Sequence, residues 1–359
     1  MILIRILLLP FTLLYAGIIL LRDVFYRWGI FSRTVFDIPV VCIGNLAVGG
    51  TGKTPHIEWL IQHLKKSCRI AVLSRGYKRK TAGYQLATFQ STPEQLGDEP
   101  FQIFRKFPEI TVAVDANRVM GIPNILGDQP DTELILMDDG FQHLPLKASC
   151  YILLTDYNNL FTRDYLMPSG LLREFRSAYQ RADFIIVSKC PEHIDAEEKR
   201  RIIQEIQPFS HQQVFFSSLV YGQPVHVSGP QIHLDSQTSV LAFSGIANAN
   251  LFEQELKRIF ETVKCIRYSD HHTYTHAELK DLNERFELLP GISKSMICTE
   301  KDAVKLQSLI LAGSLKDIPL YFLPVQVKFH DHGEGILIDY IQDLVNNYRN
   351  SGSDTTLAT

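Results

Sequence analysis

Residues 37–66 read DIPVVCIGNLAVGGTGKTPHIEWLIQHLKK, and this stretch decides the architecture. Its first eight residues, 37–44, are a short β-branched apolar run and predict a strand. From Lys53 to Lys66 the apolar residues Ile57, Leu60, Ile61 and Leu64 recur on one face, which predicts a helix. Between them lies Ala47-Val48-Gly49-Gly50-Thr51-Gly52-Lys53-Thr54. This matches the phosphate-binding loop GxxxxGK[ST] in its required strand–loop–helix setting, with Ala47 in place of the first glycine. Glycines let backbone N–H groups turn toward phosphate oxygens, and the new helix offers them its positive end. The loop therefore implies ATP, with Lys53 on the β- and γ-phosphates and Thr54 on Mg²⁺. Ala47 is tolerable there if its φ is negative. Pro55 suits a first helical turn, where no intrahelical donor is lost.

Working outward, residues 69–75, 110–115, 133–139, 151–156 and 183–189 are further short, nearly continuous apolar runs. Such runs suit parallel strands covered by helices on both faces. The predicted fold is α/β: a P-loop NTPase-like, doubly wound, mostly parallel sheet over residues 31–214. A smaller α/β lobe is expected over 215–349, with 213–227 and 239–245 as extended segments that join the two. Strands are expected at 294–300 and 319–325, and helices at 251–261 and 335–349. The polar tail 350–359 is expected to be disordered. Asp138 and Asp139 close the run 133–139, where one carboxylate suits Mg²⁺ in the manner of a Walker B acid.

The 359 residues exceed one ordinary core, and a net charge of -3 gives no basic excess for nucleic acid. The six cysteines are scattered, with no CxxC pair, and read as buried reduced thiols. The N-terminus departs from this ordinary composition. Met1 to Leu21 is apolar with Arg5 its only charge, just long enough to cross a bilayer if Arg5 snorkels. Arg22, Arg27 and Arg33 follow, interleaved with Phe25, Tyr26, Trp28 and Phe31, a composition suited to headgroups on the cytoplasmic side. Residues 1–30 are therefore expected to be a membrane helix. A cleaved signal peptide and a buried core helix are the competing readings.

A P-loop alone leaves three protein classes open. A partitioning-type ATPase switch carries Lys directly before the GG of its loop, where this chain has Val48. A GTPase needs [NT]KxD, and VSKCP (187–191) has the Lys without the Asp. A small-molecule or lipid kinase remains. Nine segments then agree in order with one family: GNLAVGGTGKTP (44–55), LSRGYKRK (73–80), GDEP (97–100), VAVDANRV (112–119), MDDGFQH (137–143), PSGLLRE (168–174), FSGIAN (243–248), DHHTYT (270–275) and TEKDAVK (299–305). The chain resembles the lipid A 4'-kinases (tetraacyldisaccharide 4'-kinases) over nearly its whole length. It departs from their pattern at Ala47, in ANANLF (247–252), which lacks a common Pro, and in SKCP.

The resemblance implies transfer of the ATP γ-phosphoryl group to a tetraacylated glucosamine disaccharide 1-phosphate, at the cytoplasmic face of the inner membrane. It implies a glycolipid partner, no nucleic acid and a monomer. Spacing alone makes GDEP a helix cap; the resemblance makes Asp98 the general base. It pairs that Asp with a His of the DHH block across the lobes, His271 before His272, to orient the carboxylate and raise its basicity. Lys53 and Asp139 complete the implied catalytic set. Implied acceptor contacts are Asn45, Arg75, Glu99, Arg118, Gln142, His143, Arg173, Glu174 and His272. Glu300, Lys301 and Asp302 of TEKD fit either a structural or a nucleotide-contacting role.

Overall fold

The structure is a computed structural model that describes residues 2–227, 233–246, 248–311 and 318–355. It opens with helix α1 (Ile2–Arg27), and β1 (Val40–Asn45) leads through the P-loop into α2 (Lys53–Leu64). There follow β2 (Ile70–Ser74), β3 (Gln85–Leu86), α3 (Pro93–Leu96), α4 (Asp98–Lys106), β4 (Thr111–Val114), α5 (Arg118–Asp128) and β5 (Leu134–Asp138). Then come β6 (Cys150–Asp156), β7 (Phe184–Ser188), α6 (Ala196–Ile206) and β8 (Gln213–Tyr221). The second lobe holds β9 (Val225–His226), β10 (Ser239–Ser244), α7 (Asn250–Ile259), β11 (Val263–Arg267), α8 (His276–Glu287), β12 (Lys294–Thr299), α9 (Glu300–Leu311) and β13 (Leu320–Leu323). Finally β14 (Val325–Phe329) and α10 (Gly333–Thr355) return to the first lobe.

The large sheet has nine strands in the order β14-β8-β7-β6-β1-β5-β2-β4-β3. It is parallel except where β14 meets β8 and β3 meets β4. β1 sits between β5 and β6, where the strand order reverses, so the P-loop leaves the sheet at its ligand-binding switch point. Every residue of β1, β2, β5 and β7 is buried, as their unbroken apolar runs require. On α2, Ile57, Leu60, Ile61 and Leu64 are at most 2% exposed and contribute roughly 1.5–3 kcal/mol each. The smaller sheet, β11-β10-β12-β13-β9, is parallel but for its edge strand β9.

Two expectations need correction. The lobes do not divide at 214/215: β8 pairs with β7, and the chain crosses at Gly222 and returns at Pro324. These two crossings are joined by the Gly222 N–H donating to the Pro324 carbonyl at 2.9 Å. Residues 319–325 are not one strand, because Pro324 lacks a donor for the ladder and separates β13 from β14 in different sheets. The second lobe is thus inserted into the first. Helix α10 runs on through residues 350–355, where a disordered tail was expected; residues 356–359 and Ala247 lie outside the described residues.

Helix α1 is long and apolar enough to cross a membrane over Leu7–Arg27, with mean hydropathy 1.8. Leu7, Leu13, Leu14 and Ile18 are 60–75% exposed, which is the reverse of a core helix. One side of α1 touches the protein. Thr12 Oγ1 and Ser169 Oγ share a hydrogen bond of 2.7 Å, Tyr15 donates to the Arg173 carbonyl at 2.9 Å, and Arg22 pairs with buried Glu174.

The lobes meet chiefly through α4 and α9. Lys106 on α4 bridges Glu58 of α2 at 2.6 Å and Glu300 of α9 at 2.8 Å. Two carboxylates around one half-buried ammonium leave an excess negative charge. Burial, followed by repulsion from Glu300, pushes the Glu58 carboxyl up to about 7. A raised carboxyl adds stability below its unfolded value and loses it as pH rises through the folded value. Glu58→Gln is therefore expected to flatten the fall in thermal stability between about pH 5 and 8, read as Tm against pH. An unchanged slope would assign that fall elsewhere.

Candidate functional site

The C-terminal edge of the large sheet gathers the polar residues. Gly52 caps α2 with φ 83°, a left-handed conformation that glycine adopts without strain. Ala47 is not among the residues with positive φ, so the missing first glycine costs nothing in backbone strain. Lys53 Nζ lies 3.4 Å from Asn45 Oδ1 and 3.6 Å from Asp139 Oδ1. Arg173 grips Asp139 with both arms, at 2.9 and 3.1 Å, and also reaches Asn45. Burial alone would raise the Asp139 carboxyl, but Lys53 and Arg173 outweigh it and hold the group down at about 2.

Asp138 has the opposite surroundings. It is buried at the end of β5, with Ser74 Oγ donating to Oδ2 at 2.9 Å. Burial, then the charge of Asp139, pushes its carboxyl up to about 6. An oxygen donor short of cationic partners, together with the Thr54 hydroxyl, suits a hard divalent ion. Asp139 fits that role less well than expected, since both its oxygens are occupied by Arg173.

Asp98 approaches the same edge from α4. Gly97 precedes it with φ 91°, and a Cβ there would come within 3.0 Å of the Tyr77 carbonyl. Only glycine lets this turn pack against the 76–77 backbone. Asp98 makes no capping bond at the helix start, contrary to the reading from spacing alone. Its Oδ2 instead accepts from His271 Nδ1 at 3.1 Å, across the lobe interface, with Lys305 Nζ at 3.6 Å. Burial raises this carboxyl, but His271, Lys305 and Lys301 together hold it below the usual carboxylate range. The pairing orients Asp98 and lowers its basicity, where an increase was expected. Glu99, beside Asp98, takes Lys301 Nζ at 2.7 Å, a second contact across the lobe interface.

The remaining expected residues separate into three groups. Arg75, Arg118 and His143 form one electropositive corner: burial, then Arg118 and Arg75, depresses the His143 imidazole to about 4. His143 Nε2 and Arg118 Nε are buried without hydrogen-bond partners. An open cleft of about 540 Å³ beside them is lined by Ser32, Thr34, Asn117 and His143. Asn45, Gln142 and Glu174 are tied to one another and to neighbouring side chains. Asn45 is fully buried, Gln142 donates to its carbonyl at 2.9 Å, and Glu174 is locked by Arg22 and Arg181. His272 turns away from Asp98, stacks on Tyr268 and lies 3.0 Å from Glu278.

Sequence reasoning missed Lys305 as a partner of Asp98 and left Lys301 undecided. They lie one turn apart on the same face of α9, and their spacing alone gave no sign of which lobe they face. Asp302 is structural: it is fully buried and accepts the Gly245 N–H at 2.8 Å.

Comparison with known proteins agrees with this arrangement. The family model described as LpxK, tetraacyldisaccharide-1-P 4'-kinase, matches residues 4–344. A tetraacyldisaccharide 4'-kinase of Bacteroides thetaiotaomicron is 40% identical, over 95% of this chain and 94% of that protein. One from Parabacteroides distasonis is 42% identical, over 90% of each. The crystal structure of Aquifex aeolicus LpxK in complex with ATP superposes with TM-score 0.73 at 28% identity, covering 94% of this chain and 99% of that one. With P-loop, acidic strand end and cross-lobe Asp–His pair in place, the chain belongs to the tetraacyldisaccharide-1-P 4'-kinase family.

Proposed function

We propose that the chain transfers the γ-phosphoryl group of ATP to the 4'-hydroxyl of a tetraacyldisaccharide 1-phosphate, forming the bis-phosphorylated lipid A precursor. One observation carries this reading: Lys53, paired with Asp139, and Asp98, paired with His271, both stand at the C-terminal edge of the large sheet. A sugar hydroxyl is a weak nucleophile, and Asp98 stands ready to take its proton as the phosphoryl group arrives. Lys53 stabilises charge on the transferred group. Thr54 and Asp138 would hold Mg²⁺, which when bound neutralises the β- and γ-phosphate oxygens. Asp139 keeps Lys53 and Arg173 aimed into the site. The corner of Arg75, Arg118 and His143, beside the open cleft, suits an anionic sugar lipid, whose phosphate oxygens arginines can clamp.

The acceptor lives in a bilayer, and α1 supplies the access. Its exposed apolar face and the following Arg27, Trp28 and Arg33 favour membrane attachment from the cytoplasmic side. The direct test incubates the full chain with labelled ATP, Mg²⁺ and the tetraacyl disaccharide 1-phosphate in detergent. Label entering the lipid supports the proposal; ATP hydrolysis without transfer to any glycolipid overturns it. Deleting residues 1–21 is expected to release the protein from membranes and depress transfer to vesicle-borne lipid while ATP binding persists. Sedimentation with vesicles checks this, and a truncated chain that remains membrane-bound and fully active contradicts it.

A further inference from the structure

Four successive carbonyls of the P-loop accept hydrogen bonds from side chains that lie outside it. Asn45 Nδ2 donates to the Gly49 carbonyl at 3.4 Å. Lys189 Nζ donates to that of Gly50, and Ser188 Oγ to that of Thr51 at 2.8 Å. His56 Nδ1 lies 2.7 Å from the Gly52 carbonyl. A carbonyl oxygen only accepts, so Nδ1 carries the proton and Nε2 accepts from Ser217 Oγ, 3.0 Å away. His56 is 2% exposed, and both its ring nitrogens are occupied by these two partners.

A trans peptide holds its C=O and the following N–H in one plane, pointing in opposite directions. Fixing the carbonyls of Gly50, Thr51 and Gly52 therefore fixes the N–H directions of Thr51, Gly52 and Lys53. Those of Gly52 and Lys53 are donors a P-loop turns toward phosphate. The Thr51 N–H instead closes on the Gly49 carbonyl at 3.2 Å and holds the bend that presents them. The outer donors are themselves held. Ion pairing with Asp156 at 2.8 Å anchors Lys189, and Ser188 Oγ is 3.2 Å from the Thr155 carbonyl. Lys189 is the lysine of VSKCP, whose partner aspartate for reading guanine is absent; here the lysine serves the loop.

We infer that Lys189, Ser188 and His56 are positioning residues for the ATP triphosphate, acting through the P-loop carbonyls without touching the nucleotide. The inference rests on the P-loop being the ATP site. The test measures, by calorimetry on the full chain in detergent, dissociation constants for ATP and for inorganic tripolyphosphate. Lys189→Ala is expected to weaken both ligands alike, by about tenfold, the scale of one charge-assisted hydrogen bond. Lys189→Arg should recover part of the loss, and the KM for the lipid acceptor should not move. Weakening of ATP alone would mean that Lys189 contacts the nucleoside and would overturn the inference, as would no change in either ligand. If Lys189→Ala does not fold, Ser188→Ala deletes a single hydroxyl and carries the same comparison at about threefold. Lys53→Ala serves as the control. If it binds both ligands normally, the P-loop is not the ATP site and the functional reading fails. If it loses them while the outer variants bind as wild type, only this inference fails.

Discussion

Asp98→Ala is expected to lower kcat by about 10²- to 10⁴-fold, the usual contribution of a general base, while leaving ATP affinity within a few-fold of wild type. The side chain stands at the first residue of α4, fixed by Gly97 behind it and by His271 and Lys305 in front. Because its cationic neighbours hold the carboxyl below its ordinary range, Asp98 is ionised throughout the neutral pH region. Its value to the reaction then lies in placement and availability more than in intrinsic basicity. Asp98→Asn keeps the shape and loses the proton acceptor, so it should be nearly as inactive as the alanine variant. His271→Ala should cost less, since Lys305 still faces the carboxylate. Near-normal turnover in Asp98→Ala would remove it from the base role.

Lys53→Ala is expected to reduce phosphoryl transfer by about 10²- to 10³-fold, comparable to losing one preorganised donor to transition-state charge. Unlike Asp98→Ala, it should weaken ATP binding as well, because the ammonium serves phosphates in both ground and transition states. The fold should survive. Asp139 keeps its bidentate Arg173, and Asn45 keeps Arg173 and the Gly49 carbonyl. Single-turnover transfer with saturating ATP, alongside Tm, separates these effects. Full activity with an unaltered Tm would show that the P-loop lysine is dispensable.

The large sheet was legible because burial on both faces writes itself as uninterrupted apolar runs, as in VVCIGN of β1. The P-loop was legible because phosphate binding constrains consecutive residues. The lobe boundary was not, because strand pairing such as β8 with β14 is decided by the partner and leaves no local mark. The Asp98–His271 pair lies 173 residues apart, and spacing pointed elsewhere; only the family resemblance named it. The same resemblance placed Asn45 and Glu174 on the acceptor. The structure buries both and ties them to neighbouring side chains, which no local spacing announces.

The return of β14 and α10 to the first lobe also sets an order of assembly. Phe329 packs its ring 4.6 Å from Trp59 of the P-loop helix, and Leu337, Ile341 and Val345 of α10 belong to the same core as Ile57 and Leu60. During synthesis the chain emerges N-terminus first, and domains fold as units. Helix α1 therefore emerges early, whereas the core under the P-loop stays open until β14 and α10 have left the ribosome. A nascent chain could thus not hold ATP until both had docked, and a chain broken off anywhere before β14 would keep its apolar helix and lack a working engine.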